Sequence, residues 1–313
     1  MATVALPKRS LCFEPMVEPL YRIGTVARLS GVSTHLIRVW ERRYDALEPS
    51  RSGGRARLYS PADLERLRLL KLAVGRGHAI GQIARLERAE LERLSGQAEE
   101  RIANDEIRSF IDEFLQAVQA FDSDRAQELL IRGSMLFSAR SLVFDVLGPL
   151  LERMGKEWAS GELCIASEHL GSTLVRDSLS DLLRRLPKAA NGELVLVTTP
   201  EGELHELGAL LGAVTIALQG YRVLYLGANS PVAEIARAAR GASASIVALS
   251  IVSLEPEQAI RAVQQLLQAL PEQVDFVVGG SMSDQVRNEV GQRVLVPGTL
   301  AGLEHWLRTR KKG

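Results

Sequence analysis

The sequence predicts a multidomain α and α/β protein: a winged helix-turn-helix, a four-helix bundle and a flavodoxin/Rossmann-like five-stranded parallel sheet. Three observations carry this expectation. Residues 21–95 read as short helices around a basic, Gly-rich hairpin. Residues 105–186 keep apolar side chains at three-to-four spacing throughout. From Gly192 the period changes, and short apolar or β-branched runs alternate with helical segments.

Composition sets the outer limits. A chain of 313 residues has room for two or three domains and a sizeable core. Hydrophobic residues make up 46% and charged residues 24%, which places it among globular proteins rather than disordered or fibrous ones. The formal net charge is zero, but unevenly spread. Residues 21–95 hold 15 Lys/Arg against 8 Asp/Glu, and residues 96–313 hold 21 against 28. A basic module on an acidic body points to a polyanionic partner for the module alone. Cys12 and Cys164 form neither a disulfide framework nor a metal-spaced pair, as expected of a cytoplasmic protein. No run reaches the ~18 apolar residues of a membrane span. Residues 1–20 read as a flexible extension without a signal peptide, with Met16 as an alternative start.

Within residues 21–95 a first helix around Gly24–Leu29 is expected to end at Gly31. Ser33 caps a second helix, from Thr34 to Arg43, by accepting backbone N–H groups. Leu36, Val39 and Trp40 are expected to face the core. Thr34, His35 and Arg38 fall on its exposed N-terminal half, where a recognition helix meets base edges. Arg42 and Arg43 continue that face. PSRSGGRARLYS then reads as a hairpin with Gly53-Gly54 at its tip. Arg51, Arg55 and Arg57 around it suit backbone phosphates. Ser60-Pro61-Ala62-Asp63 starts a further helix, with proline at the favoured first turn. Helix, turn, basic wing and Tyr-Ser-Pro-x-Asp in this order resemble the DNA-binding domain of MerR-type regulators. That resemblance covers about seventy residues and implies a double-stranded DNA operator as partner.

Residues 96–104 are polar and read as a linker. The segments IRSFIDEFLQAV, AQELLIRGSMLF, SLVFDVLGPLLERM and SEHLGSTLVRDSLSDLL supply four helices, broken near Asp122-Ser123, Ser138 and Gly161. Short connections between them indicate a bundle over residues 105–186. In residues 190–313, ELVLVTT, RVLYL, SIVALSI, DFVVGG and RVLV supply five strands. A sheet of this kind binds ligands at the C-terminal edge of its strands.

Three small motifs fall at that edge. GELHELG carries Glu203, His205 and Gly208 after the first strand. Forty-one residues separate Gly208 from Ser250, which opens Ser-Ile-Val252, and twenty-six separate Val252 from Gly279-Gly280. A metal-binding imidazole carries its proton on the other ring nitrogen, and a carboxylate two residues away holds that tautomer. Glu203 is placed for this, with Glu201 and Glu206 as alternatives. Ser250 points its hydroxyl at the strand edge, and Ser253 can line the same groove. The absent side chains of Gly208, Gly279 and Gly280 leave space for a ligand close to the backbone. In order and spacing these motifs resemble the cobalamin-binding fingerprint of corrinoid proteins. The resemblance implies His205 as the lower ligand of cobalt, with the nucleotide tail in a groove lined by Gly208, Ser250, Val252, Ser253, Gly279 and Gly280.

In the bundle, Trp158 is followed after nine residues by Glu168-His169. This pattern resembles the upper-face signature of CarH/LitR-type cobalamin-dependent photoreceptor regulators. That implies a bundle over the upper face, with Trp158 near an adenosyl group. It further implies a repressor whose oligomeric state, a homo-oligomer (dimer or tetramer), is set by adenosylcobalamin, with methylcobalamin as the other candidate. In much of that family a histidine directly follows the tryptophan and can ligate cobalt after light removes the alkyl group. Here the position is Ala159. Two other readings stand beside the regulator: a corrinoid methyl-carrier module of a methyltransferase, and a cobalamin-independent regulator that keeps the fold.

Overall fold

The computed structural model describes residues 20–51, 56–187 and 192–310. The expected extension at residues 1–20 therefore lies, apart from Leu20, outside the described residues. The chain forms two compact units, whose boundary falls between Glu106 and Ile107.

The first unit starts with β1 (Tyr21–Arg22), α1 (Ile23–Ser30) and α2 (Thr34–Tyr44). Gly31, at φ 65°, ends α1. Ser33 Oγ accepts the Leu36 N–H at 3.2 Å and starts α2. Next come β2 (Ser50–Arg51), β3 (Arg57–Tyr59) and α3 (Pro61–Gly75). β3 pairs antiparallel with both β1 and β2. Ser60 and Asp63 close a reciprocal capping box at the start of α3. Short helices α4 (Ile80–Ile83) and α5 (Arg88–Ser95) complete the unit.

The core of this unit departs from expectation on α2. Leu36 is exposed, and Ile37 is fully buried in its place. Ile37 and Trp40 lie three residues apart, on the stripe that meets α3 and Tyr59. Leu36 is about 100° round the helix from Ile37, and Val39 sits at the edge of the stripe, half-buried. Burying Ile37 contributes roughly 1.5–3 kcal/mol, so the register is strongly set. Arg66 holds the loops together by donating to the carbonyls of Ala46, Ala84 and Leu86 at 2.7–2.9 Å.

Residues 96–104, expected as a linker, lie almost wholly in α6 (Gln97–Gln119). Arg101 to Asn104 are exposed on that helix, so polarity there marks a solvated surface rather than a chain break. α7 (Ser123–Leu136) follows, capped by Asp122. The third bundle helix is composite: α8 (Ala139–Ser141), a π-helical segment (Leu142–Leu147) and α9 (Gly148–Ser160). α10 (Ile165–Arg185) is the fourth.

The second part of this unit is a parallel sheet of five strands, β4 (Leu194–Thr198), β5 (Arg222–Tyr225), β6 (Ile246–Ser250), β7 (Asp275–Gly279) and β8 (Val294–Leu295). Their spatial order is β5-β4-β6-β7-β8, the flavodoxin-like arrangement. Helices α11 (Leu207–Leu218), α12 (Val232–Gly241), α13 (Pro256–Ala269), α14 (Ser283–Val290) and α15 (Leu300–Arg310) connect and follow them. α11 and α15 cover one face, through Ala213, Ile216, Leu303 and Leu307. α12 and α13 cover the other, through Ile235, Ala239, Val263 and Leu266. The bundle core runs on into Leu210, Leu211 and Val214 of α11, while Ala209, Ala213 and Ile216 of the same helix belong to the sheet core.

Candidate functional site

The loop after β4 is drawn tight before it reaches His205. Thr199 Oγ1 donates to the Glu203 carbonyl at 2.6 Å. Gly202, at φ 88°, donates its N–H to Asn229 Oδ1 at 2.8 Å. This turn drives the Glu203 side chain inward, where it has no solvent exposure. Its Oε2 accepts the N–H groups of Val252 (2.8 Å) and Ser253 (2.6 Å). Its Oε1 accepts the His205 N–H (2.9 Å) and the Ser253 hydroxyl (2.9 Å). Burial alone would raise the carboxyl's pKa. The N–H groups of Ser253, His205 and Val252 and the His205 ring outweigh it and hold the pKa at about 2.

His205 Nδ1 lies 2.7 Å from Glu203 Oε1 and 2.9 Å from Ser253 Oγ. Beside an ionised carboxylate, Nδ1 carries the proton, and Nε2 keeps its lone pair. The imidazole is otherwise open, with 64% of its side chain exposed. Glu203 is therefore the carboxylate on His205. Glu201 is exposed. Glu206 turns away to accept the Tyr225 hydroxyl at 2.7 Å and to face Arg176 at 3.6 Å.

Ser250 ends β6 in register with Gly279 at the end of β7. A Cβ on Gly208 would stand 3.0 Å from Ser250 Oγ, and one on Gly279 would meet only the Leu249 carbonyl, at 3.9 Å. Ser250 Oγ thus stands beside Gly208, and Gly279 leaves its own side-chain position open. Gly280 differs from expectation. At φ 91°, its missing Cβ would lie 2.2 Å from the Ile251 carbonyl oxygen. Its space is taken by backbone and is not open groove. Val252 is partly exposed at the rim. Leu204 and Leu226 are exposed nearby in sequence to the same loops, and sequence reasoning passed over both. An apolar residue inside the Glu-x-His motif was the available signal.

In the bundle, Trp158 lies in the last turn of α9 and is 52% exposed. Gly161 turns the chain at φ 81°. Glu168 sits in the first turn of α10 and accepts the Ser172 hydroxyl. Its other oxygen lies 2.9 Å from His169 Nδ1, so a second exposed imidazole is oriented by a carboxylate. Among the described residues no hydrogen bond or ion pair joins Trp158 or His169 to the His205 cluster. Ala159 is exposed and offers no donor atom to a metal. The Cys164 thiol is pushed down by its hydrogen bond with Ser167.

In the first unit, Thr34, His35, Arg38, Arg42 and Arg43 are all exposed along α2. Among the described residues Arg38, Arg42 and Arg43 form no ion pair. Arg57 departs from this pattern: its Nε donates to Glu41 Oε1 at 2.6 Å, and the carboxylate raises its pKa further. Arg57 thus brings a paired charge to the wing. Arg55 and Gly53-Gly54 lie outside the described residues. Arg51 pairs with Arg57 through the strand backbone.

The arrangement fits cobalamin on its own chemistry. It has an exposed imidazole with its Nδ1 engaged, glycines at Gly208 and Gly279 near the strand ends, and exposed apolar residues in the same loops. It lies at the C-terminal strand edge of an α/β sheet. Comparisons with known proteins agree. Residues 21–90 match the MerR HTH family regulatory protein family. Residues 193–301 match a B12 binding domain family, and residues 110–182 match a second family of that description. Fold and matches define a MerR-type transcriptional regulator with a B12-binding domain. The chain belongs to the family of the HTH-type transcriptional repressor CarH of Myxococcus xanthus. It is 35% identical to that protein over 298 residues, covering 94% of this chain and 99% of CarH. It is 30% identical over 262 residues to the repressor CarA of the same organism, covering 83% and 86%. A monomethylamine corrinoid protein of Methanosarcina barkeri shares the fold at a TM-score of 0.52 and 17% identity, over 64% of this chain and 99% of that one. The named full-length relatives are regulators rather than enzymes. Among the described residues no helix is long and apolar enough to cross a membrane.

Proposed function

We propose that this protein is a cytoplasmic DNA-binding repressor that binds adenosylcobalamin through His205 and uses the cofactor as a light or cobalamin signal. The observation that carries this reading is the exposed His205 imidazole, fixed by buried, ionised Glu203 and by Ser253, in a chain that also has a helix-turn-helix. His205 Nε2 is the cobalt ligand. Glu203 and Ser253 keep the proton on Nδ1 and stop the ring from turning. Gly208, Ser250 and Gly279 admit the nucleotide tail, with Val252 at its rim. Gly280 lets the Ile251 backbone close under the groove. Trp158, Glu168 and His169 cover the opposite face. When bound, adenosylcobalamin supplies a cobalt–carbon bond that visible light breaks.

On the DNA side, Thr34, His35 and Arg38 meet base edges, and Arg42, Arg43, Arg51 and Arg55 meet phosphates. One such module neutralises few phosphates, and its binding falls steeply with salt. Joining modules in a dimer or tetramer raises avidity with the same set of interactions per module. Cofactor-dependent assembly is thus a sufficient switch for occupancy of an operator. Ala159 removes the imidazole next to Trp158 as a source of ligation in the illuminated state.

The test uses full-length protein prepared in the dark, with and without adenosylcobalamin. Sedimentation and binding to duplex DNA from its own upstream region are measured before and after green light. The expected result is a larger assembly and tighter DNA binding with the cofactor in the dark, lost on illumination. Retained corrinoid with unchanged mass and DNA affinity in all three states would overturn the switch. A parallel loading with methylcobalamin separates the two upper ligands.

A further inference from the structure

The helix that follows the His205 loop is clamped at both ends. α11 has Glu206 as its N-cap and Gln219 as its C-cap, and Ala209 to Ile216 are buried along it without a break. Leu210, Leu211 and Val214 belong to the bundle core. Ala209, Ala213 and Ile216 belong to the sheet core. At the N-terminal end, Glu206 accepts the Tyr225 hydroxyl at 2.7 Å and faces Arg176 of α10 at 3.6 Å. At the C-terminal end, Gln219 donates to Glu304 at 3.0 Å. Arg140, from the third bundle helix, grips Glu304 at 3.0 and 2.9 Å. Each end of α11 is thereby tied to one bundle arginine.

The two clamps differ in firmness. Arg140 is bidentate on a buried carboxylate that Arg308 also holds, at 2.9 Å. Arg176 faces Glu206 at a distance longer than a hydrogen bond, half open to solvent, and also pairs with Asp177 at 3.8 Å, so its hold on Glu206 yields to small displacements. Its position links the His205 loop to the helix that carries His169. Glu206 is the residue after His205. Arg176 lies seven residues beyond His169 on α10, which puts the two on one helix face about 10 Å apart along the axis. Tyr225, the third member, packs on both the bundle core and the sheet core.

We propose that Arg176, Glu206 and Tyr225 form a coupling latch between the His205 loop and bundle helix α10, with Arg140–Glu304 as the fixed tie at the far end of α11. The inference rests on the proposed ligand role of His205. α11 is packed on both sides and tied at its far end, so a displacement at its N-cap passes to α10 through the Glu206–Arg176 pair. Coupling of this kind is reciprocal: the cofactor on His205 orders α10, and α10 held in place favours the cofactor.

The test uses the full-length protein in the dark with adenosylcobalamin. Arg176→Met, Glu206→Gln, the double variant and Tyr225→Phe are compared with the unaltered chain. The readouts are the absorption spectrum of the bound corrinoid and hydrogen exchange across residues 165–185, with and without cofactor. The expected variants hold corrinoid with the imidazole on cobalt, while the cofactor-induced slowing of exchange in α10 shrinks by about fivefold or more. The double variant should lose no more than the worse single variant. A merely structural role would lower thermal stability equally in both states and leave that difference intact. Tyr225→Phe keeps the ring in both cores and carries the same prediction should Arg176→Met fail to fold. Undiminished slowing in the variants overturns the latch alone. Absence of corrinoid from the unaltered protein overturns the His205 reading and the latch with it.

Discussion

Replacing Glu203 with glutamine changes the His205 arrangement at one atom while keeping its shape. The Oε2 side of Glu203 faces two fixed backbone donors, the Val252 and Ser253 N–H groups. The glutamine oxygen must take that side, because an NH2 group there would oppose both. Its NH2 group then faces the His205 N–H, His205 Nδ1 and Ser253 Oγ, the partners of Oε1. An amide donor beside Nδ1 makes that nitrogen an acceptor and moves the ring proton to Nε2, the nitrogen that cobalt needs. The charge-assisted hydrogen bond that Glu203 supplies is worth about 1.5–3 kcal/mol. Removing such a supporting partner weakens a metal–imidazole bond roughly 10–100-fold. The fraction of loaded protein with the imidazole on cobalt should fall accordingly at neutral pH. The assay is the absorption spectrum of dark, cofactor-loaded Glu203→Gln against the unaltered protein at the same pH. An unchanged imidazole-bound fraction would refute the tautomer argument.

Three further outcomes are expected. Gly280→Ala places a Cβ 2.2 Å from the Ile251 carbonyl at a positive φ, so it should cost about 1–3 kcal/mol or more in thermal stability without any cofactor; a loss seen only with cobalamin present contradicts the backbone role of Gly280. The Glu203 pKa falls from an ordinary 4.5 unfolded to about 2 folded. Its contribution to stability is therefore complete above 4.5 and lost as pH falls toward about 2, so denaturant midpoints of the unaltered chain and Glu203→Gln should converge over that window. In DNA binding, Arg42→Ala or Arg43→Ala should lower the slope of log affinity against log salt by about 0.9 for each phosphate no longer neutralised. Arg57→Ala should change that slope far less, because Glu41 already holds its charge; an equal change contradicts the pairing.

The fold class was legible because each part has its own period and punctuation. Ser33, Ser60 and Gly161 act through local backbone chemistry, so their caps and turns could be read directly. The five strands announced themselves as short apolar runs, and the central three, β4, β6 and β7, are buried along nearly their whole length. Features set by tertiary packing were not legible. Leu36 and Ile37 are adjacent and equally apolar, and only the packing of the surrounding elements decides which is buried. Polar residues 96–104 look alike as linker or as solvated helix. The π-helical register of Leu142–Leu147 leaves no composition signal. In the site, sequence left Glu201, Glu203 and Glu206 as rivals for His205. The Thr199 and Asn229 hydrogen bonds that turn Glu203 inward come from residues up to 27 positions away from Gly202, beyond any local pattern. Glycine spacing marked Gly279 and Gly280 together, but only three-dimensional packing separates an open side-chain position from a backbone crossing.

The most direct test of the account is the absorption spectrum of full-length protein and His205→Ala, each purified in the dark with adenosylcobalamin. The account requires the unaltered chain to retain corrinoid with an imidazole on cobalt, and His205→Ala to lose that imidazole signature. No corrinoid on the unaltered chain, or the same imidazole-bound spectrum from His205→Ala, would contradict it.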